Sequence, residues 1–445
     1  MSSVGAIEYL SYAGAVGYGT AAVGYVRLLV EAGLEVHWMP YPGDAIGSGR
    51  VGEGIGNAEL SRGRAGLIAR SAAGAESRLK PLVEATSRPI EARVRIIHLV
   101  PGYWLEHLSP KTGVRHIGIG TWETDTIVRR WVPSLARMDH LCVPSTHNEA
   151  VLRAAPERLP AATVVPHLCR ETLDPPSPAR LAGLVRYLGI RPDDTVFYTI
   201  NAWAPRKRLA QLIDGFVRSF TPDDRVALII KTSREIPYYD PASPVRDRSA
   251  SRVVAAIIAR AAGELGRPPP RIGVVADDEL ADNFIDGLHT LGHCFVSLSR
   301  SEGFGLGGFD AATHGRPVIA VDYGGPVDYL GADWRGRVPY RMAPAENSSG
   351  YDWFDDGHSW PEPDDAAAFA LMRNLQPIRH RSAPKPKPFR SASVESSAQR
   401  RSRGDCWQRW TEWRKPRAPD RDVGEECDVA PRCAFRASRP PALPA

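Results

Sequence analysis

The sequence predicts an α/β protein in which two Rossmann-like domains face each other across a cleft. Its 445 residues exceed what one ordinary hydrophobic core accommodates, and 43% of them are hydrophobic, which is enough for globular packing. Short apolar segments alternate with amphipathic ones, a pattern typical of parallel strands covered by helices. This alternation occurs twice, on either side of a proline-rich segment, so we expect two domains of the same kind.

The first series of alternating segments forms a predicted domain at residues 1–170. Its predicted strands are Glu35 to Met39, Val94 to Val100, His116 to Ile119, Asp139 to Val143 and Thr163 to Val165. Helices are expected at Thr20 to Ala32 and Thr126 to Ala136. Thr146 and Glu149 have the spacing of a capping box, which predicts a further helix after the fourth of these strands.

The second series forms a predicted domain at residues 194–373, after a proline-rich interdomain linker at residues 171–193. Its predicted strands are Thr195 to Ile200, Val226 to Lys231, Ile272 to Val275, Cys294 to Leu298 and Val318 to Val321. Its predicted helices are Lys207 to Arg218, Arg252 to Leu265, Asp278 to Leu288 and Leu306 to His314.

Residues 374–445 have a different composition. They carry 16 lysine and arginine residues and 8 acidic ones, a net charge of +8, whereas the rest of the chain carries 40 and 43, a net charge of −3. With only six leucine, isoleucine or valine residues, this segment buries too little apolar area to order itself, so we expect a disordered tail. Weak contact with a membrane surface through this tail is a hypothesis, and no nucleic-acid partner is expected.

Other features of the sequence bear on its location. The sequence contains no run of 18 or more apolar residues, so no membrane-spanning helix is expected. The N-terminal segment lacks the basic region of a secretory signal. The six cysteines form neither a C-x-x-C pair nor a metal-type cluster with histidine, so free thiols and no metal site are expected. These features predict a cytoplasmic protein, with peripheral attachment at the inner membrane face as a further hypothesis.

The strongest functional signal is SEGFGLGGFD at residues 301–310. It follows a predicted strand, and its four glycines predict a tight turn before a helix. Backbone N–H groups at a helix start carry positive partial charge and bind phosphate groups, and glycine allows a ligand to approach closely. The segment therefore predicts a diphosphate site.

Two carboxylates flank this turn, Glu302 and, eight residues later, Asp310. A carboxylate can accept hydrogen bonds from two neighbouring sugar hydroxyls. One of the two is therefore a candidate for holding a sugar and the other for holding a ribose. A structural alternative is that the glycines only form a turn and the carboxylates only cap the helix.

Residues 301–330 resemble the signature of glycosyltransferase family 4 (glycosyl transferases group 1), in which two acidic residues separated by seven others surround an E-G-F-G-L core. The resemblance implies a GT-B architecture, with the acceptor domain first and the donor domain second. It implies retaining transfer of a sugar from a nucleoside-diphosphate sugar to a hydroxyl, without a metal or other cofactor. The implied acceptor is a glycan, a lipid-linked molecule or a small molecule, as in polysaccharide or glycoconjugate synthesis.

The resemblance also implies roles for residues of this segment. It places Glu302, as a catalytic residue, at the hydroxyls of the donor sugar, and Asp310, where most relatives have the longer glutamate, at the ribose. The other implied donor-binding residues are Gly303, Phe304, Gly305 and Leu306.

A second signal, INAWAPRKRLAQLIDGF at residues 200–216, resembles the first strand and helix of the family's donor domain. There a basic pair neutralises the diphosphate. Lys207 occupies the lysine position and is a catalytic candidate, because a cation stabilises charge on a leaving diphosphate. Asn201 replaces the usual arginine, and Arg206 or Arg208 are candidates to compensate. The structural alternative is a solvated basic helix start.

The N-terminal loop GAVGYGTAA, at residues 14–22, resembles the family's first glycine-rich loop. We therefore expect Gly17 and Gly19 near the donor phosphates or the acceptor. A dinucleotide-binding fingerprint fits less well, because no acidic residue ends the second predicted strand.

The segment GIGTWETD, at residues 118–125, follows another predicted strand. Because open α/β sheets bind ligands at the carboxyl ends of their strands, Glu123 is a catalytic candidate and Trp122 a candidate for stacking on a sugar. His98 ends a strand near the position where relatives often have a cleft histidine. The structural alternatives are a capping glutamate, a buried tryptophan and a structural histidine.

Three rival functions stay open at this point. The first is a weakened homologue that binds a nucleotide sugar without efficient transfer. The second is a nucleic-acid or membrane-surface protein acting through the basic tail. The third is a Rossmann dehydrogenase, which would need NAD and a hydride-transfer residue that the sequence does not reveal.

Overall fold

A computed structural model describes residues 6–14, 17–42, 57–72, 79–169, 177–236, 243–277, 282–345 and 357–375. These residues form two α/β domains, each with a six-stranded parallel sheet and a core on both sheet faces. None of the described helices combines the length and apolar character needed to cross a membrane.

The first domain has its strands in the order β2-β1-β3-β4-β5-β6, all parallel. Its elements are β1 Ala6–Tyr12, α1 Gly17–Glu31, β2 Glu35–Tyr41, α2 Asn57–Ala72, α3 Leu79–Ala85, β3 Val94–His98, β4 Arg115–Ile119, α4 Val132–Ala136, β5 His140–Val143, α5 Thr146–Ala154 and β6 Ala162–Val164. The direction of strand addition reverses between β1 and β3, which makes their carboxyl ends the place where ligands bind such sheets.

The second domain has the strand order β12-β11-β10-β7-β8-β9, and a short antiparallel hairpin accompanies it. Its elements are α6 Pro178–Tyr187, β7 Thr195–Ile200, α7 Leu209–Ser219, β8 Val226–Thr232, α8 Ala250–Leu265, β9 Arg271–Ala276, α9 Asp282–Leu291, β10 Cys294–Ser297, α10 Leu306–Thr313, β11 Val318–Val321, α11 Gly325–Leu330, β12 Arg337–Val338, β13 Tyr340–Pro344, β14 Ser359–Pro363 and α12 Asp365–Leu375. Here the reversal lies between β7 and β10. The interior strands β7 and β8 are buried along almost their whole length, as parallel strands covered on both faces must be.

The structure corrects the first predicted domain in three places. The sequence prediction omitted β1, although this strand lies in the interior of the sheet, between β2 and β3. The helix expected at Thr126 to Ala136 is only the short α4, because Pro133 fits the first turn of a helix and not its interior. The N-cap of α5 is Ser145, whose hydroxyl accepts from the N–H of Asn148 at 3.3 Å, and not a capping box starting at Thr146.

The segment predicted as a linker also differs. Residues 178–187 form α6, which begins with an N-cap serine at Ser177 and a proline in the first turn. Leu184 and Leu188 are buried in the core of the second domain. That domain therefore includes the second half of the predicted linker.

The predicted tail begins inside a helix. Asn374 and Leu375 are the last residues of α12, which packs Ala368, Phe369 and Met372 into the core of the second domain. The rest of the tail, with its predicted disorder, lies outside the described residues.

Three sets of hydrogen bonds fasten the two domains together. Asp328 of α11 accepts from the N–H and the hydroxyl of Thr146 at 2.7 and 2.5 Å. The N–H of Ser359 donates to the Asp125 carboxylate at 2.7 Å, and the Asp125 N–H donates back to the Ser359 carbonyl at 3.0 Å. Thr126 and the neighbouring His358 form a further bond of 2.7 Å. These contacts hold the domains in a closed arrangement.

Candidate active site

A cleft of about 1010 Å³ lies between the two domains. Its walls come from the carboxyl ends of β1 and β3 on one side and of β7 and β10 on the other. These are the reversal points of the two sheets, where open α/β sheets form ligand sites.

The glycine-rich segment forms the second-domain wall of the cleft. Gly305 adopts φ +85°, a left-handed conformation natural to glycine, and directly precedes α10. Its carbonyl accepts from the hydroxyl of Tyr329 at 3.1 Å, and the ring of Phe304 packs on Tyr329 with centroids 5.3 Å apart. The turn is thus held with the N–H groups that begin α10 at the cleft, where an anionic group is favoured.

Both predicted acidic residues line the cleft. Glu302 lies before the turn, and its carboxylate is 2.5 Å from Nζ of Lys207 and 3.7 Å from Nη1 of Arg206. Asp310 lies on α10 and is only 6% exposed. The structure therefore places Glu302 before α10 and Asp310 in the second turn of this helix, and both residues line the cleft.

Four charged side chains form a chain across the cleft. Arg206 lies 2.8 Å from the Glu123 carboxylate of the first domain and also donates to the carbonyl of Ser301. The order Glu123, Arg206, Glu302, Lys207 alternates in sign, so each charge has an opposite neighbour.

The pKa directions reflect this alternation. Burial alone would raise the pKa of Glu302, but Lys207 and Arg206 lower it below its usual value. Burial lowers the pKa of Lys207, and Glu302 opposes only part of that effect. The pair thus keeps Glu302 ionised at neutral pH.

Of the two arginines considered as replacements at the Asn201 position, only Arg206 lines the cleft. Arg208 is 5% exposed and donates to Asp365 at 2.7 and 3.0 Å, which corrects the expectation that it could compensate. Asn201 itself lines the cleft and donates to the hydroxyl of Thr199 at 2.9 Å.

The two glycines predicted in the N-terminal loop have different positions. Gly17 lines the cleft, and a Cβ added there would lie 3.9 Å from Leu306 in the glycine-rich segment. Gly19 does not belong to the wall. A Cβ at Gly19 would lie 2.0 Å from the carbonyl oxygen of Gly14, so its role is to let the loop pack on α1.

The side chains of Trp122 and Glu123, which follow β4, lie in different environments. Trp122 is 1% exposed and packs in the first-domain core, which corrects the expectation that its ring stacks on a sugar. Glu123 lines the cleft. Successive residues of an extended segment point to opposite sides, so only one of two neighbours can face the ligand.

The histidine prediction was incomplete. His98 lines the cleft, and so does His167, which was not among the residues predicted from the sequence. The ring of His167 lies 4.7 Å from that of Phe304, between centroids. Other wall residues that the sequence did not reveal include Tyr329, Lys231 and Arg62. The tyrosine alone had a local signal, since it follows the GGP turn after β11.

No protein-family model matches this sequence, and a comparison with curated proteins finds no match either. Solved structures do resemble it. HepE of Anabaena, in complex with UDP and glucose, is 15% identical over 73% of this chain and 83% of its own, with a TM-score of 0.47. Sucrose-phosphate synthase of Thermosynechococcus elongatus is 15% identical over 84% and 90%, with a TM-score of 0.48.

The N-terminal domain of trehalose-6-phosphate phosphatase from Candida albicans is 11% identical over 84% of this chain and 89% of its own, with a TM-score of 0.51. This similarity is one of fold. Together with two parallel six-stranded sheets that face each other across a cleft, it confirms the predicted GT-B fold.

Proposed function

We propose that this protein is a retaining glycosyltransferase that moves a sugar from a nucleoside-diphosphate sugar to an acceptor hydroxyl, in polysaccharide or glycoconjugate synthesis. One observation carries the proposal. Glu302, paired with Lys207, lies just before α10, Asp310 lies within this helix, and both line the cleft of a GT-B fold. Carboxylates can bind the hydroxyls of a sugar and of a ribose, and a cation together with N–H groups at a helix start can bind a diphosphate.

In the proposed reaction the diphosphate binds at the start of α10, beside Lys207 and Arg206. It competes with Glu302 for these cations, which frees the carboxylate to accept hydrogen bonds from the donor sugar. The acceptor oxygen then bonds to the anomeric carbon as the bond from that carbon to the phosphate oxygen breaks. The acceptor proton passes to the leaving diphosphate, whose charge Lys207 and Arg206 stabilise.

The rival proposal is a homologue that binds the nucleotide sugar without efficient transfer. The replacement of the usual arginine by Asn201 is the observation that favours it. Arg206 at the same wall supports activity instead, because it supplies a second cation there.

A thermal-shift screen with UDP-, GDP- and ADP-glucose tests the proposal. A ligand that binds only the folded protein stabilises it, by about 2.7 kcal/mol at one hundred times its Kd. We expect one nucleotide series to raise the melting temperature, and product analysis with a panel of sugar acceptors then detects transfer. Binding with no product supports the rival, and no shift with any nucleotide sugar contradicts both.

Gly303→Ala should slow transfer by roughly tenfold to a hundredfold, because small displacements of reacting groups are costly. A Cβ at this position would lie 1.7 Å from Oγ1 of Thr121 and 3.0 Å from the carbonyl of Trp122, both in the other domain. Thr121 Oγ1 is itself held by a 3.1 Å bond to Asn148. The substitution should therefore keep the two domains from approaching each other fully at this contact. The rate of transfer is measured as kcat, and the separation of the domains is measured through the radius of gyration.

Gly183→Ala on α6 is the matched control for that variant. Nothing lies within 4 Å of a Cβ added there, so the folded protein should gain up to about 1 kcal/mol of helix propensity with kcat unchanged. Equal kcat in Gly303→Ala and wild type would show that closure does not depend on this contact.

A further inference from the structure

Two histidines of the first domain line the cleft, His98 buried and His167 partly exposed. His98 ends β3 and is 1% exposed, and His167 follows β6. Their ring centroids are 6.5 Å apart, within reach of one sugar ring, and both rings line the cleft. Each has its Nδ1 bonded to a tyrosine hydroxyl, and within the described residues no hydrogen bond reaches Nε2 of either ring.

The tautomer of His167 follows from its neighbours. The hydroxyl of Tyr25 lies 2.8 Å from the carbonyl of Val165 and 2.9 Å from Nδ1 of His167. A hydroxyl has one proton, and a carbonyl has none to donate. Two hydrogen bonds therefore form only if Tyr25 donates to Val165 and Nδ1–H of His167 donates to Tyr25. This leaves Nε2 of His167 as a lone-pair acceptor.

His98 has the opposite tautomer. Among the described residues, Nδ1 of His98, at 2.9 Å, is the hydrogen-bond partner of the hydroxyl of Tyr9, and Tyr9 is fully buried. A buried hydroxyl donor without an acceptor is costly, so Tyr9 donates to Nδ1. The proton of the neutral ring is then on Nε2, which makes Nε2 of His98 a donor.

Both rings are neutral at physiological pH. Burial, and next the neighbouring His167, hold the pKa of His98 well below its usual value. Burial lowers the pKa of His167 to about 3. So weak a base does not remove a proton from an alcohol, but it still accepts a hydrogen bond.

We propose that Nε2 of His167 accepts a hydrogen bond from a hydroxyl of the transferred sugar, with Tyr25 as the positioning residue that fixes its tautomer. The inference rests on the proposed function. Nε2 of His98 is a hydrogen-bond donor, and Nε2 of His167 is a hydrogen-bond acceptor. Together they suit sugar hydroxyl groups, each of which can both donate and accept a hydrogen bond. The ring of His167 contacts that of Phe304, which lies next to Gly305 in the glycine-rich turn. Nε2 of His167 therefore lies near the proposed diphosphate site. This position favours a contact with the transferred sugar over a contact with the molecule that receives it.

The test compares His167→Phe and Tyr25→Phe with His140→Phe. His140 belongs to the same domain and bonds to Thr163 at 2.8 Å, but it does not line the cleft, so it is a matched control. Calorimetry measures the Kd of UDP, GDP and ADP and of their glucose conjugates, and melting temperatures report folding.

We expect His167→Phe to weaken the nucleotide sugar about tenfold while leaving the nucleoside diphosphate unchanged. Tyr25→Phe should give a smaller loss with the same selectivity, and His140→Phe should give none. An unchanged nucleotide-sugar Kd in both test variants overturns the assignment. Equal weakening of diphosphate and nucleotide sugar also overturns it, because it indicates a structural role. If no nucleotide binds wild-type protein, the proposed function fails, and this inference fails with it.

Discussion

Glu302→Gln should lower kcat for sugar transfer by about two to three orders of magnitude. The amide keeps the size of the side chain but loses the charge that both hydroxyl binding and the pair with Lys207 require. Lys207 Nζ lies 2.5 Å from the Glu302 carboxylate, and both side chains are about one-sixth exposed, at 16% and 15%. Since removing one partner of a mostly buried ion pair leaves the other uncompensated, the melting temperature should also fall by a few degrees.

Initial rates with saturating donor, together with melting curves, measure both effects. Glu149→Gln is the control, because Glu149 pairs with Arg153 at 3.0 Å on the outside of α5, away from the cleft. Saturating nucleoside diphosphate should restore part of the lost stability, since its phosphates offer Lys207 a new counter-charge. A kcat within a factor of three of wild type would remove Glu302 from the proposed mechanism.

Most strands could be predicted from the sequence because apolar runs determine them locally. The bounds of β7 and β11 are the predicted ones. The omitted strand β1 contains Glu8 and Ser11, which obscure its apolar pattern. Glu8 lies opposite Arg95 of β3 and 2.6 Å from it, and Ser11 accepts from the indole N–H of Trp38 at 2.8 Å. This interior strand accommodates polar residues because they bond to partners that only the assembled fold brings together.

The candidate site shows the same limit. The glycine-rich segment at residues 301–310 is continuous in sequence, so its turn, helix start and two acids could be predicted together. The first-domain wall is assembled from separate segments, and His167 reaches it because Val165 and Leu168 pack against the core that α1 helps to form. A Cβ added at Gly24 would lie 3.4 Å from Leu168, and the hydroxyl of Tyr25 is hydrogen-bonded to His167. No local pattern encodes such a contact.

Among the substitutions proposed for this protein, Arg208→Ala should cause the largest loss of stability, about 3 kcal/mol in the free energy of unfolding. The Arg208 guanidinium binds Asp365 at 2.7 and 3.0 Å and lies 3.0 Å from Glu362, so that its removal leaves two carboxylates without this cation. Arg300 still lies 2.6 Å from Glu362, and the Asp365 side chain is 42% exposed, so water and Arg300 offset part of the cost. These carboxylates attach β14 and α12 to the start of α7.

Arg206→Ala distinguishes the structural role of Arg208 from the proposed ligand-binding role of Arg206 in the cleft. It removes the same type of side chain two positions earlier, but from the wall of the cleft, so we expect lower kcat and weaker diphosphate binding, with a smaller loss of stability than Arg208→Ala causes. Arg208→Gly adds a further comparison, because Arg208 has φ +52°, a conformation that strains any residue with a Cβ. It should lose about 1 kcal/mol less than Arg208→Ala. Urea unfolding of the three variants measures these differences. If Arg208→Ala unfolds like wild type while Arg206→Ala is the unstable variant, the assignment of one arginine to the core and the other to the cleft is wrong.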